Sequence, residues 1–207
     1  MLAPDLPGHG ADRTPLAEVT LDAYAKRVCD VIGREREPVV LVGHSMGGIV
    51  VTAAAERIPE RVRTLVYLTA IQLADGESLF AVAGSDTDSL LVGNLVPSAD
   101  GLAGSVKPES VVPALYAECT TADAERARAR LTPQALAPLT APVRWTPDRA
   151  GRIPRVYIEC LRDRAISIAA QRRMVAARPC AKVLTLDTDH SPFYSAPDAL
   201  AAHLAGL

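Results

Sequence analysis

The sequence lacks the patterns that mark several large classes of protein. It has no cluster of Lys and Arg, and its formal net charge is −2 at pH 7, so it presents no basic patch for nucleic-acid phosphates or an anionic membrane. Its first residues do not combine a basic stretch with an apolar one, and no apolar run approaches the length of a membrane span. These absences predict a cytoplasmic protein that binds neither nucleic acid nor a membrane.

Cysteine is scarce and shows no motif. The chain has four cysteines and no C-x-x-C pair, which argues against a zinc site or a redox motif. Unreactive thiols in a reducing compartment are the simpler interpretation. The four residues are Cys29, Cys119, Cys160 and Cys180.

The distribution of apolar residues is that of one α/β domain. At 207 residues, 49% of them hydrophobic, the chain is long enough to bury one sizeable core. Apolar runs of strand length alternate with helical patterns, which predicts a mostly parallel sheet with helices on both faces. The predicted strands are 39–43, 64–70, 155–160 and 182–186, and the predicted helices are 20–33, 49–57, 166–177 and 197–207.

The middle of the chain breaks this alternation. Residues 74–148 are loose in composition and contain two helix candidates, at 109–118 and 122–131. We therefore expect a single domain over 1–207, with a core formed by about 1–73 and 149–207 and an insertion at about 74–148.

The strongest chemical signal is Gly43-x-Ser45-x-Gly47, between an apolar strand and a helix. A nucleophile on a tight strand-to-helix turn needs small neighbours, because larger side chains would clash with the flanking backbone. The pattern alone is weak evidence, since it arises by chance in roughly one chain of this length in fifteen. Its position after a strand predicts that Ser45 is a nucleophile above the carboxyl edge of the sheet, and an ordinary helix N-cap is the alternative.

A serine nucleophile needs a base, and the base needs an acid that orients it. Of the four histidines, only His190 lies in a loop directly after a predicted strand, so it is the predicted base, with a surface-loop histidine as the alternative. Asp163 follows the strand 155–160 at the same sheet edge and is the predicted acid. Asp187 and Asp189 are nearer to His190 in sequence, but neighbours on one loop seldom orient each other, and each could instead cap the turn.

The remaining parts of the predicted site are a backbone donor and an apolar pocket. The N–H of Met46, the residue after the nucleophile, is the predicted donor to an oxyanion. Aromatic residues are only 4% of the chain, and the candidate pocket residues, each of which could equally pack in the core, are Met46, Phe80, Trp145 and Phe193. An apolar lining without charged clamps favours a small apolar carboxylic ester over a sugar or a phosphoester. Such a reaction requires no metal and no organic cofactor.

Four segments of the chain match the pattern of a known family. They are LAPDLPGHG at 2–10, GHSMGG at 43–48, DGES at 75–78 and HSPF at 190–193. Together they resemble the methylesterase and hydroxynitrile-lyase branch of the α/β-hydrolase superfamily, and the resemblance runs the whole length of the chain. It implies a small helical cap inserted after the strand that ends near residue 70, a pocket between cap and core, and ester hydrolysis without a cofactor.

The resemblance also bears on the reaction. Ser45, Asp163 and His190 fall on the triad positions of the family. Lyase members typically carry a lysine after the histidine, and Ser191 at that position favours an esterase. A lyase and a catalytically silent ligand-binding protein are the alternatives.

The beginning of the chain departs from the family pattern. Family members carry about three strands and a helix before the LAPD segment, including the loop that provides a second oxyanion donor. Their absence predicts two unpaired backbone edges inside the sheet. Three explanations would account for the missing strands: a start that lies further upstream, a rearrangement that closes the gap, or a second chain that supplies the edge. We favour the first. A homodimer would also cover an exposed strand edge.

Overall fold

The chain forms seven strands, nine α-helices and three short 3-10 helices, and the computed structural model describes all of residues 1–207. The strands, in chain order, are β1 (Val39–Ser45), β2 (Val62–Ala70), β3 (Leu95–Pro97), β4 (Ala103–Val106), β5 (Gln134–Ala135), β6 (Arg155–Cys160) and β7 (Lys182–Leu186). The helices are α1 (Leu21–Ile32), α2 (Gly47–Arg57), α3 (Leu79–Ala83), α4 (Pro108–Leu115), α5 (Thr121–Arg128), α6 (Ala137–Thr140), α7 (Ile168–Ala177), α8 (Pro192–Ser195) and α9 (Pro197–Ala205). None of these helices is both long and apolar enough to cross a bilayer.

The central sheet is parallel, as the alternation of strands and helices predicts. Its four strands lie in the order β1-β2-β6-β7, and every neighbouring pair is parallel. Strands β6 and β7 have the predicted bounds, whereas β1 and β2 are longer than predicted. Because the carboxyl ends of parallel strands meet at one edge of a sheet, the loops that follow these strands converge there.

The two faces of this sheet pack against different helices. Leu65 and Tyr67 of β2 belong to a cluster of 25 buried residues to which α1, α2 and α7 contribute. Val66 and Leu68 point the other way, into a cluster of seven that includes Leu200 of α9, because successive side chains of a strand alternate between faces. Fully burying a side chain of this size contributes roughly 1.5–3 kcal/mol. Helices on both faces therefore stabilise the sheet, and the predicted fold class is confirmed.

Helix α1 shows how the local sequence sets an element. The hydroxyl of Thr20 accepts a hydrogen bond from the N–H of Ala23 at 3.0 Å and so caps the first turn. The buried side chains recur at helical spacing and form one stripe against the core. They are Leu21, Tyr24, Ala25, Val28 and Ile32.

The insertion at 74–148, called the cap insertion below, contains more than the two predicted helices. Both helices form, as α4 and α5, but β3, β4 and β5 also pair into an antiparallel sheet. The expected helical cap therefore also contains a small sheet that the sequence did not predict. These strands are at most four residues long, and β4 contains Gly104, so they lack the apolar alternation by which a strand is recognised in a sequence.

The first residues take a different course from the one that the resemblance implies. Residues 1–6 form no strand, and β1 pairs only with β2. The predicted pair of unpaired edges inside the sheet is therefore replaced by one bare edge along β1. Val42 in that strand is 38% exposed.

Two glycines allow α2 to pack closely against the sheet. A Cβ at Gly43 would lie 2.5 Å from the carbonyl oxygen of Gly47, and a Cβ at Gly48 would overlap the carbonyl oxygen of Ile71. At Gly47 a Cβ would meet no atom within 4 Å. The predicted need for a small residue before Ser45 thus holds at Gly43, whereas after Ser45 it applies to Gly48 rather than to Gly47.

Replacing Gly48 by Ala is expected to lower the free energy of unfolding by about 1–3 kcal/mol, because the added methyl group pushes α2 away from the end of β2. Gly47→Ala in the same turn is the control, since its methyl group enters open space. Urea unfolding followed by circular dichroism measures both variants. Equal stability of the two would show that the close approach at Gly48 does not matter.

Candidate active site

Ser45 lies on the turn between β1 and α2, where the Gly43-x-Ser45-x-Gly47 pattern predicts it. Its φ is +53°, in the left-handed region that residues other than glycine seldom adopt. The carbonyl oxygen of Ser45 accepts a hydrogen bond from the N–H of Ile71 at 3.0 Å. The strained turn is therefore anchored to the neighbouring strand, and Ser45 lines a large cavity.

The backbone N–H of Met46 donates no hydrogen bond within the chain. Met46 directly precedes the first residue of α2, where free N–H groups and the helix dipole create a positive potential. A free donor beside the serine is what an oxyanion requires. The geometry is compatible with the N–H of Met46 as an oxyanion donor, and this role stays a prediction.

His190 and Asp163 form a buried pair. Nδ1 of His190 lies 2.7 Å from Oδ2 of Asp163, and the two side chains are 2% and 0% exposed. The pair joins the loop after β7 to the loop after β6, at the sheet edge where β1 ends in Ser45. No hydrogen bond joins Ser45 Oγ to the imidazole in this structure, and such contacts often tighten only when substrate binds.

The carboxylate of Asp163 accepts four hydrogen bonds. Oδ1 accepts from the backbone N–H groups of Ala165 and Ile166, at 2.7 and 2.9 Å, and Oδ2 accepts from the Thr69 hydroxyl and from His190. Burial alone would raise the pKa of Asp163, but the neighbouring His190 and these hydrogen bonds outweigh it and hold the pKa below its ordinary value. Asp163 is therefore an anion that is fixed in orientation.

Thr69 is a part of this network that the sequence did not reveal. It is fully buried, and its φ is +35°, which is rare for a β-branched residue. The pairing of β1 with β2 skips it, since His44 pairs with Leu68 and Ser45 with Ala70. An irregularity of this kind re-aims a side chain, and here the Thr69 hydroxyl is turned to Asp163. Its position at the end of a core strand is the only sequence signal for this role.

Gln171 holds the loop that carries Asp163. Its side chain is fully buried in α7. Oε1 accepts from the N–H of Cys160 at 3.0 Å, and Nε2 donates to the carbonyl oxygens of Cys160 and Ile166 at 3.1 and 2.8 Å. The amide thus ties the end of β6 to the start of α7, and the segment between them is fixed at both ends. A buried glutamine in a helix gives no indication of this role in the sequence.

His44 supports the backbone of His190. Its Nε2 lies 2.7 Å from the carbonyl oxygen of His190, and the two rings are 4.6 Å apart. Burial, and next the proximity of His190, lowers the pKa of His44 to about 3, so the ring is neutral at pH 7 and donates its Nε2–H to this carbonyl. His44 therefore positions the loop after β7.

The two other acids considered for His190 have different partners. Asp187 forms an ion pair with Arg162 at 2.8 Å. Asp189 accepts hydrogen bonds from the N–H of Ser191 at 3.1 Å and from the N–H of Glu118, in the cap insertion, at 2.9 Å. Asp189 thus holds its own turn, as the sequence allows, whereas Asp187 pairs with Arg162 instead of capping a turn, and neither carboxylate contacts the His190 ring.

The cavity beside Ser45 has a volume of about 970 Å³, and 19 of its 31 lining residues are hydrophobic. Met46, Phe80 and Trp145 line it as predicted. The indole of Trp145 is fixed by its Nε1–H, which donates to the carbonyl oxygen of Leu73 at 3.2 Å, and by the guanidinium of Arg178, whose Cζ lies 3.9 Å from the ring centroid. A pocket of this size and character suits a mostly apolar small molecule.

Phe193 does not line this cavity, contrary to its predicted role in substrate binding. Its ring is 42% exposed and contacts His44 edge-on, with the centroids 5.1 Å apart. Phe193 lies in α8, which starts at Pro192 immediately after Ser191, and its ring packs against His44 and Tyr194 instead of entering the cavity. No group of three or more His, Cys, Asp or Glu side chains is arranged to hold a metal ion.

Residues 1–203 match the model of the alpha/beta hydrolase family. The chain belongs to this family. It is 32% identical to a pyrethroid hydrolase of Sphingobium wenxiniae, over 98% of this chain and 75% of that protein. It is 30% identical to methylesterase 7 of Arabidopsis thaliana, over 98% of this chain and 83% of that protein. Two longer chloroplastic relatives from the same plant are covered over 60% and 53% of their lengths.

Solved structures agree with these sequence relatives. A pyrethroid hydrolase from Sphingobium faniae JZ-2 superposes with a TM-score of 0.87 and 28% identity, over 99% of this chain and 84% of that one. Polyneuridine aldehyde esterase superposes with a TM-score of 0.85 over 98% of this chain and 85% of that one, and at 24% identity it supports the fold alone. The sequence relatives are named as a pyrethroid hydrolase and a methylesterase, which confirms the prediction of a carboxyl-ester hydrolase but not of a particular substrate.

Replacing Thr69 by Val is expected to lower the kcat of ester hydrolysis roughly 10-fold or more, because Asp163 loses a hydrogen bond to its charged carboxylate. The KM is expected to stay within about twofold, since the change acts on the orientation of His190 rather than on substrate binding. Thr69→Ser keeps the hydroxyl and is the control. Equal losses in the two variants, measured with p-nitrophenyl butyrate, would point to a packing effect instead.

Proposed function

We propose that this chain is a serine hydrolase that cleaves apolar carboxylic esters through an acyl-enzyme. Ser45 is the nucleophile, His190 the general base and Asp163 the acid that orients the base. The observation that carries this proposal is the buried His190–Asp163 pair at the sheet edge where Ser45 stands on a strained turn. An ionised Asp163 fixes the proton of His190 on Nδ1, which leaves Nε2 as the acceptor for a serine proton.

The reaction follows from these roles. Nε2 of His190 takes the proton of Ser45 as Oγ attacks the ester carbonyl carbon, and the imidazolium that forms is stabilised by Asp163. The proton then passes to the leaving alcohol oxygen as its bond to the carbonyl carbon breaks. Water gives a proton to His190 as it attacks the acyl-enzyme, the proton returns to Ser45 Oγ, and the carboxylic acid leaves.

The developing negative charge on the carbonyl oxygen falls beside Met46. Its N–H is free to donate, and the first turn of α2 adds the positive end of a helix dipole. Loss of one such donor typically costs about 10²- to 10³-fold in kcat. The N–H of Met46 therefore accounts for a substantial part of the expected rate enhancement.

The cavity supports the substrate class. Its lining is mainly hydrophobic, and its volume of about 970 Å³ leaves room for an acyl or alcohol part larger than that of a short-chain ester. Phe80 and Trp145 place aromatic surface on the side of the cap insertion. A cytoplasmic location and pairing of two copies stay predictions beside this proposal.

The Ser45→Ala variant tests the nucleophile. Its kcat for p-nitrophenyl butyrate is expected to fall by about 10⁶-fold, to the background of the assay, because no covalent intermediate can form. The unchanged chain should also show a burst of p-nitrophenol or an acyl adduct on Ser45 by mass spectrometry. Retained activity in Ser45→Ala, with an unchanged circular dichroism spectrum, contradicts the proposal.

The Asp163→Asn variant tests the acid. Its kcat is expected to fall by about 10⁴-fold at neutral pH, because an amide favours the wrong tautomer of His190. Asp187→Asn is the matched control, since it removes an equal charge from a residue that pairs with Arg162 instead. A larger loss in Asp187→Asn than in Asp163→Asn would reassign the acid.

A further inference from the structure

Asp86 is a second carboxylate on the cavity, and the proposed mechanism does not use it. It follows α3 in the cap insertion, is 6% exposed and lines the same cavity as Ser45. Its Oδ2 accepts a hydrogen bond from the N–H of Ser167 at 2.9 Å. Its Oδ1 has no hydrogen-bond partner in the chain, and this oxygen is not fully covered by neighbouring atoms. Oδ1 is therefore accessible, on a residue that forms part of the cavity wall.

Asp86 forms no ion pair within the chain. It takes part in none of the salt bridges, and Arg173, which also lines the cavity, donates to the carbonyl oxygen of Ser85. Ser167 is the N-cap residue of α7, a helix of ten residues, so the positive end of its dipole supports the charge on Asp86. A charged carboxylate with one open oxygen is a strong hydrogen-bond acceptor in an apolar cavity.

The turn that carries Asp86 is held in place. Oγ of Ser89 donates to the carbonyl oxygen of Ala165 at 2.7 Å, and the N–H of Leu90 donates to the carbonyl oxygen of Arg164 at 2.8 Å. These partners directly follow Asp163 in the loop after β6. Asp86 is therefore fixed relative to that loop, and a group that is fixed in advance binds a ligand with little loss of conformational freedom.

We infer that Asp86 is a specificity-determining residue that binds a hydroxyl or ammonium group of the ester substrate. The inference rests on the proposed function, because it concerns a substrate that occupies the cavity at Ser45. A substrate with such a donor away from its ester carbonyl pairs with the open oxygen while its apolar part fills the cavity. A substrate with a methyl group in that place leaves the carboxylate unpaired, and sites built around a hydrogen bond discriminate against such analogues.

Two matched pairs of methyl esters test the inference. Methyl 4-hydroxybenzoate is compared with methyl 4-methylbenzoate, and methyl 4-(aminomethyl)benzoate with methyl 4-ethylbenzoate, together with their 3-substituted isomers. Within a pair the two esters differ mainly in the donor, so the ratio of their kcat/KM values reports the contact. The ratios are measured for the unchanged chain, for Asp86→Asn and for Asp88→Asn, which removes an equal charge from an exposed position of the same turn.

The unchanged chain and Asp88→Asn are expected to favour at least one donor ester by about 10- to 100-fold. Asp86→Asn should lose an ammonium preference and keep at most part of a hydroxyl preference, because an amide oxygen is still an acceptor. Equal ratios in Asp86→Asn and the unchanged chain overturn the inference, and an equal fall in all rates shows that Asp86 only ties the cap insertion to Ser167. Turnover of p-nitrophenyl butyrate without any preference for a donor ester overturns it as well. If p-nitrophenyl butyrate itself is not cleaved in a Ser45-dependent way, the proposed function fails first.

Discussion

A buried carboxylate is the constraint on which the functional edge of this sheet depends. Withdrawing the charge of Asp163 from water costs several kcal/mol unless donors surround it, and its four donors come from three separate parts of the chain. Thr69 contributes from the end of β2, two backbone N–H groups from the loop after β6, and His190 from the loop after β7. Gln171 and His44 in turn hold those loops. Loss of one donor leaves the buried charge less well compensated, so the contributions of the donors depend on one another and the network is cooperative.

The same edge contains both residues other than glycine that have a positive φ. Ser45 and Thr69 stand at the carboxyl ends of neighbouring strands, and the register between β1 and β2 skips one residue at this point. One irregularity therefore serves two purposes: it accompanies the turn that exposes the serine, and it aims the threonine at Asp163. Strain of this kind persists only where the surrounding packing determines the backbone, and the close approach of α2 at Gly43 and Gly48 supplies that packing.

The sequence predicts those features that depend on residues adjacent or regularly spaced in the chain. Apolar runs predicted all four strands of the parallel sheet, and the turn pattern placed Ser45, because both depend on residues that are adjacent in the chain. Asp163 and His190 could be proposed because parallel strands bring their ends together. Thr69, Gln171 and Asp86 could not be found in this way, since each acts through a contact with a distant segment. Phe193 was misplaced because the direction of one side chain on a short helix is not encoded in spacing, and β3 to β5 were missed because they are held by backbone pairing rather than by an apolar stripe.

The cap insertion is tied to the core at two separate places. Asp189, in the His190 loop, accepts a hydrogen bond from the N–H of Glu118. The carboxylate of Glu56 in α2 accepts two hydrogen bonds from Thr146, one from the N–H at 3.0 Å and one from the hydroxyl at 2.8 Å. A cover that is hydrogen-bonded to the core at two places resists swinging open as a lid. The side chain of Phe80, which lines the cavity and is 39% exposed, can rotate without any such movement of the backbone. A cavity wall that is held in this way does not widen as a whole, so the cross-section of a ligand limits how fast it enters and leaves.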